Sequence, residues 1–181
     1  MNKLTRLAIK YGTDKCPPYE SYTTYYHKLF KDVDVRSLLE IGIGHPGTMQ
    51  HIPNYKIGAS LRMWRDYFPK AMIWGADIRP DTMIAGDRIG SIVCDQSKKK
   101  SLLRMIKAIG KQDVIIDDGS HKTKDQIKSA RVLLPYTKLY IIEDVKEPDK
   151  ILKEFPDAIV KSFLKTNDFD DRLVIIWSPQ S

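Results

Sequence analysis

The strongest constraint on this chain is an alternation. Between residues 36 and 144, short apolar runs take turns with amphipathic stretches, and each apolar run closes on or near a carboxylate. Arg36-Ser37-Leu38-Leu39-Glu40-Ile41-Gly42-Ile43-Gly44 reads as a first strand buried on both faces. Residues 71–78, 91–95, 113–118 and 139–144 read as four more. Helical periodicity falls between them, over 60–68 with Ser60 as N-cap, and over 97–109 with Leu102, Leu103, Met105 and Ile106 on the apolar side. It recurs over 123–134 and 148–155. Two N-terminal helices, 2–10 and 19–31, flank a loop that Pro17 and Pro18 keep from being helical. Final strands near 158–164 and 172–177 lie close enough to pair as an antiparallel hairpin.

Strands alternating with helices imply an α/β fold. We expect a Rossmann-like, doubly wound, mostly parallel seven-stranded sheet with an antiparallel C-terminal edge hairpin. The 181 residues suit a single domain, with residues 1–31 as a helical cap. No apolar run approaches the roughly 18 residues of a membrane span. The opening MNKLTRLAIKYGTDK has no secretory apolar core, so a cytoplasmic protein is expected. Cys16 and Cys94 are too few for a disulfide framework and read as reduced thiols. A net charge of +7 is compatible with an anionic partner or with solubility alone, and the run Lys98-Lys99-Lys100 reads as a solvated helix start. No aromatic stripe is interleaved with the basic residues, so nucleic acid is not the expected partner.

The carboxylates fall at Glu40, Asp77, Asp95, Asp117–Asp118 and Glu143–Asp144. In an open parallel sheet, ligands bind beyond the carboxyl ends of the strands. Gly42 and Gly44 form a turn that lets a ligand approach, or else simply a tight turn. Gly42-x-Gly44-x-x-Gly47 matches a dinucleotide spacing, but no helix follows at once to receive a pyrophosphate. That combination suits a nucleoside without phosphates. Asp77 is placed to accept from ribose hydroxyls, and Asp95 lies near an adenine amino group.

Asp118, Glu143 and Asp144 would repel one another unless a cation or protons intervened. Oxygen donors suit Mg²⁺. Asp117 or Glu143 could instead turn away to cap a helix. His121 follows in Asp118-Gly119-Ser120-His121, where an imidazole could take a proton from a metal-acidified hydroxyl or serve only as a structural residue. His27, His45 and His51 lie outside this cluster and are given no role.

These segments, with Ser60–Pro69 and the opening Lys10-Tyr11-Gly12-Thr13-Asp14-Lys15, resemble the class I S-adenosylmethionine-dependent methyltransferases. More narrowly, they resemble the metal-dependent sugar O-methyltransferases of the macrocin and mycinamicin type, over about residues 10–145. The resemblance implies S-adenosylmethionine at Tyr11, Thr13, Asp14, Glu40, Gly42, Gly44, Asp77, Asp95 and Asp117. It implies Mg²⁺ or Mn²⁺ at Asp118, Glu143 and Asp144, with His121 as general base and Asp118 also catalytic. One departure is Glu20, where the family often has a histidine two positions before the tyrosine matched by Tyr22.

The expected activity is methyl transfer to a hydroxyl of a sugar or glycosylated small molecule. The alternatives are a nucleic-acid or protein methyltransferase on the same scaffold, and a non-catalytic S-adenosylmethionine-binding module. A homo-oligomer is left open.

Overall fold

Two helices precede the sheet. In α1 (Lys3–Tyr11), the Asn2 side chain accepts from the Thr5 amide, and the helix stops where Gly12 turns left-handed. Helix α2 (Tyr22–Phe30) follows the proline loop. The structure, a computed structural model, describes residues 1–19, 21–163 and 171–179. Glu20 and the last residue of the expected strand 158–164 lie outside the described residues.

Then come β1 (Ser37–Ile41), α3 (Ala59–Tyr67), β2 (Met72–Asp77), β3 (Ile89–Val93), α4 (Lys99–Ile109), β4 (Gln112–Asp117), α5 (Thr123–Leu133), β5 (Thr137–Ile142), α6 (Pro148–Glu154), β6 (Ile159–Ser162) and β7 (Arg172–Trp177). The seven strands order as β3-β2-β1-β4-β5-β7-β6. Strands β1 to β5 are parallel, and β7 runs antiparallel to both β5 and β6. This is the expected doubly wound sheet with its C-terminal edge hairpin.

The pleat sorts the core. Leu38, Val114, Ile116, Leu139, Ile141, Leu173 and Ile175 face α1, α2 and α3. Their neighbours Leu39, Ile115, Tyr140, Ile142, Val174 and Ile176 face α4, α5 and α6. A sheet covered on both faces needs apolar residues at consecutive positions, and the strands supply them.

Two local expectations are corrected. Ser60 does not cap α3, because Gly58, at φ 73°, turns the chain into the helix and leaves Ser60 inside the first turn. The first strand ends at Ile41 rather than Gly44, because Gly42 has φ 97° and Gly44 φ 81°. A Cβ on Gly42 would lie 2.0 Å from the Asp118 carbonyl oxygen, so no other residue fits there without moving backbone.

Register sets the site. Ile41 lies level with Ala76 and Asp117, and Asp117 with Ile142. The residues following β1, β2, β4 and β5 therefore emerge along one edge. The strand order reverses between β1 and β4, where this kind of fold opens a crevice.

Candidate active site

A cavity of about 1040 Å³ lies at that edge. It is large enough for a nucleoside-sized ligand together with a second molecule, since small-molecule sites typically enclose roughly 300–1,000 Å³. Among the expected residues, Thr13, Asp14, Gly42, Gly44, Asp77, Asp95, Asp118, His121 and Asp144 line it. Tyr11, Glu40, Asp117 and Glu143 do not.

The glycine turn is braced from both sides. The Gly42 amide donates to the Ala76 carbonyl, and the Ile43 amide donates to Asp77 Oδ2 at 2.9 Å. The Tyr55 hydroxyl donates to the Ile43 carbonyl and occupies the space a Cβ on Gly44 would need. Asp77 Oδ1 accepts from the Arg79 amide. Asp95 Oδ1 accepts from the Ser97 amide and hydroxyl, and Lys98 lies 2.9 Å from its other oxygen. The Ser97 and Lys98 bonds hold the Asp95 carboxyl below its ordinary pKa.

Asp118, His121 and Asp144 come together, each offering a donor atom within 4.8 Å of the others. Both carboxylates are clamped through one oxygen and turn the other toward the imidazole. Lys15 Nζ lies 2.6 Å from Asp118 Oδ2, while Asp118 Oδ1 is 3.9 Å from His121 Nε2. The Tyr22 hydroxyl donates to Asp144 Oδ1, while Asp144 Oδ2 is 3.4 Å from His121 Nε2. Asp144 sits at φ 51°, a left-handed conformation uncommon outside glycine. Burial, reinforced by the Asp118 charge, pushes the Asp144 pKa up to about 6. The two carboxylate oxygens turned into the cavity suit a hard divalent cation that keeps several waters, so Asp118 and Asp144 fit Mg²⁺.

Glu143 sits behind this group, joined to Asp118 through the Lys15 ammonium. One of its oxygens pairs with Lys15, the other accepts from the Tyr26 hydroxyl, and the side chain is 1% exposed. Of the three carboxylates expected to cluster, Asp118 and Asp144 share the group within 4.8 Å with His121, and Glu143 adjoins it through Lys15. Asp117 also turns inward, accepting from Ser129 Oγ, the Tyr140 hydroxyl and Gln96 Nε2. Burial pushes its pKa up to about 6 against those bonds. Neither residue caps a helix. The Tyr11 hydroxyl donates to Asp66 Oδ2 instead of lining the cavity.

Sequence reasoning gave Lys15 no role. It is 1% exposed, and its ammonium also lies 3.3 Å from Glu40 Oε1. Burial alone would lower its pKa, but the charges of Asp118, Glu143 and Glu40 more than reverse this and hold it well above the ordinary lysine value. Glu40, fully buried, is pushed up to about 7 despite Lys15. Gln96 was missed too. It joins Asp117 and Ser129 through its amide nitrogen and accepts the Ser120 amide through its oxygen, fixing the loop that carries His121. His45 and His51 also line the cavity.

No family model matches the chain. It is 33% identical over 146 residues to 8-demethyl-8-alpha-L-rhamnosyl tetracenomycin-C 2'-O-methyltransferase of Streptomyces olivaceus, covering 79% of this chain and 38% of that protein. It is 35% identical over 147 residues to mycinamicin VI 2''-O-methyltransferase of Micromonospora griseorubida, covering 78% and 36%. The chain is a homologue of the sugar O-methyltransferases. It spans under two-fifths of the length of these curated relatives. Among solved structures, the MycE methyltransferase of the mycinamycin pathway, in complex with Mg, SAH and mycinamycin VI, superposes with a TM-score of 0.77 at 27% identity, covering 97% of this chain and 54% of that one. The fold is that of the S-adenosylmethionine-dependent O-methyltransferases.

Proposed function

We propose that the chain is a metal-dependent O-methyltransferase that moves a methyl group from S-adenosylmethionine to a hydroxyl of a sugar or glycosylated small molecule. The observation that carries this reading is the clamped group Asp118, His121 and Asp144 beside the Gly42–Gly44 turn, inside one cavity at the sheet's switch point. The sugar-modifying relatives and the Mg and SAH in the MycE complex support it.

In this reading the turn and Asp77 hold the nucleoside, Asp95 lies toward the base, and Thr13 and Asp14 close the site from the N-terminal loop. Asp118 and Asp144 would hold Mg²⁺ or Mn²⁺, with Glu143 behind them on Lys15. When bound, the donor supplies an electrophilic methyl, and the metal lowers the pKa of the acceptor hydroxyl. His121 Nε2, facing both carboxylates, takes the hydroxyl proton. Transfer would exchange the donor's S–CH₃ bond for an O–CH₃ bond on the acceptor, and the residues around the cavity would orient the acceptor hydroxyl toward the donor.

A cytoplasmic site of action goes with this reading. Cys16 and Cys94 are both buried free thiols, and among the described residues no helix is long and apolar enough to cross a membrane. The test is calorimetry with S-adenosylhomocysteine, followed by methyl transfer to a panel of glycosides with Mg²⁺ and with excess EDTA. No binding of S-adenosylhomocysteine, or turnover unaffected by EDTA, refutes the corresponding half of the proposal.

A further inference from the structure

Three carboxylates surround the Lys15 ammonium, and they are not equivalent. Nζ lies 2.6 Å from Asp118 Oδ2, pairs with Glu143 Oε2, and is 3.3 Å from Glu40 Oε1. Asp118 and Glu143 each accept a hydrogen bond from it. Neither oxygen of Glu40 has a hydrogen-bond partner of good geometry, although Glu40 is fully buried. Buried polar groups are nearly always hydrogen-bonded, so this exception calls for a reason.

The reason lies in what else claims Asp118. This carboxylate belongs to the group suited to a divalent cation, and Lys15 covers one of its oxygens. A divalent ion on Asp118 repels an ammonium at hydrogen-bond distance from the same side chain. The main chain of Lys15 is fixed, because its carbonyl accepts from the Thr23 amide. Its side chain is not, since a flexible four-carbon stem lets an ammonium re-aim its three donors. Glu40 offers two unused oxygens a short shift away. The Tyr26 and Tyr22 hydroxyls hold Glu143 and Asp144 independently of Lys15.

We propose that Lys15 is a positioning residue with two seats. Without a divalent cation its ammonium holds Asp118 and Glu143 together. When the cation binds, the ammonium moves to Glu40 and releases one oxygen on each. Lys15 thereby sets the affinity of the site, as a resident cation that the incoming one displaces, and Glu40 is the seat that makes the displacement possible. This inference rests on the metal-dependent reading and deepens it.

The probe is Mn²⁺ alone, titrated into the full chain and followed by the paramagnetic resonance of the free ion, so no turnover is needed. Lys15→Met removes the competing cation and should bind Mn²⁺ at least roughly tenfold more tightly than the wild type. Saturating Mn²⁺ should also raise the melting temperature of this variant by more than that of the wild type, because the ion supplies the missing counter-charge. Glu40→Gln removes the second seat and should bind Mn²⁺ at least roughly tenfold more weakly, although Glu40 does not line the cavity. In the Lys15→Met background the same change should matter by less than about threefold, since no ammonium is left to seat. A lysine that served the fold alone predicts the opposite sign, with Lys15→Met binding Mn²⁺ more weakly because its carboxylates lose their order. Binding by Lys15→Met no tighter than that of the wild type overturns the inference. So does an equal loss from Glu40→Gln in both backgrounds, which would assign the effect to charge alone. If Lys15→Met does not fold without metal, Glu40→Gln decides, and an unchanged affinity overturns the inference. Failure of the wild type and both variants to bind Mn²⁺ strikes the metal-dependent reading itself, and this inference falls with it.

Discussion

Lys15 and Glu143, 128 positions apart in the chain, form a buried ion pair beneath the candidate active site. The same ammonium touches Glu40 from β1 and Asp118 beyond β4, so one lysine from the N-terminal loop ties three strand ends together. Its position makes the loop a structural part of the site, continuous with the wall that Thr13 and Asp14 form.

Removing that cation should be costly. Lys15→Met would leave Glu40 and Glu143 buried without a counter-charge, and breaking a buried pair from one side typically costs about 3–5 kcal/mol. Lys15→Arg keeps the charge and should recover part of the loss. Urea unfolding of the three proteins checks this. A methionine variant within about 1 kcal/mol of the wild type would mean the carboxylates take up protons without consequence.

The cofactor end has its own test. Asp77 bonds the Ile43 and Arg79 amides while lining the cavity, so Asp77→Ala both loosens the glycine turn and removes an acceptor. Charge-assisted hydrogen bonds contribute about 1.5–3 kcal/mol each, so S-adenosylhomocysteine should bind at least tenfold more weakly by calorimetry. Equal binding by the variant would remove Asp77 from the nucleoside site.

Asp118→Asn and Asp144→Asn keep their shapes and lose charge facing His121. Each should abolish Mg²⁺-stimulated turnover while leaving S-adenosylhomocysteine binding within about threefold, since in the proposed reading the metal serves the acceptor and the Lys15 and Tyr22 clamps hold each side chain in place. A variant that keeps full Mg²⁺-stimulated turnover shows that its carboxylate is not needed to hold the metal.

The alternation of strands and helices was legible because burial on both faces forces consecutive apolar residues, a pattern that survives in one sequence. The meeting of Asp118, His121 and Asp144 was legible because all three follow strand ends. The facing of the paired carboxylates was not. Asp117, the last residue of β4, and Glu143, one past the end of β5, turn into the buried interior, whereas the next residue in each case, Asp118 and Asp144, turns into the cavity. Lys15 was missed because a lysine in a proline-flanked loop reads as solvated. Only the buried Glu40, on a strand with no polar neighbour, hinted that a cation had to come from elsewhere.

Tyr11, expected at the cofactor, is engaged in this structure with Asp66. Its hydroxyl, with Arg65 and Lys10, holds Asp66, whose pKa falls to about 2 although burial opposes the shift. A carboxyl with a depressed folded-state pKa stabilises the fold above its unfolded value and loses that contribution as pH falls. Asp66→Asn should therefore melt lower than the wild type near neutrality, and the gap should close between about pH 4 and pH 2. Tyr11→Phe should likewise melt lower yet bind S-adenosylhomocysteine as the wild type does. A large loss of that binding would return Tyr11 to the cofactor site.

His121 separates catalysis from structure. Its side chain is 40% exposed, and its Nε2 faces Asp118 and Asp144 across gaps longer than a hydrogen bond or close to that limit. Little of the fold depends on it, so His121→Ala should melt within a few degrees of the wild type. As a general base it should contribute roughly 10²–10⁴-fold to kcat. Gln96 and Ser120 hold the loop without the imidazole, so the donor's product should still bind. His121→Gln keeps a polar group but cannot take a proton near neutral pH, and should be as slow as the alanine variant. If glutamine restores the rate, the side chain positions the acceptor by hydrogen bonding rather than removing its proton. If both variants turn over at the wild-type rate, the hydroxyl loses its proton by another route, leaving Asp118 and Asp144 as the part of the group the reaction needs.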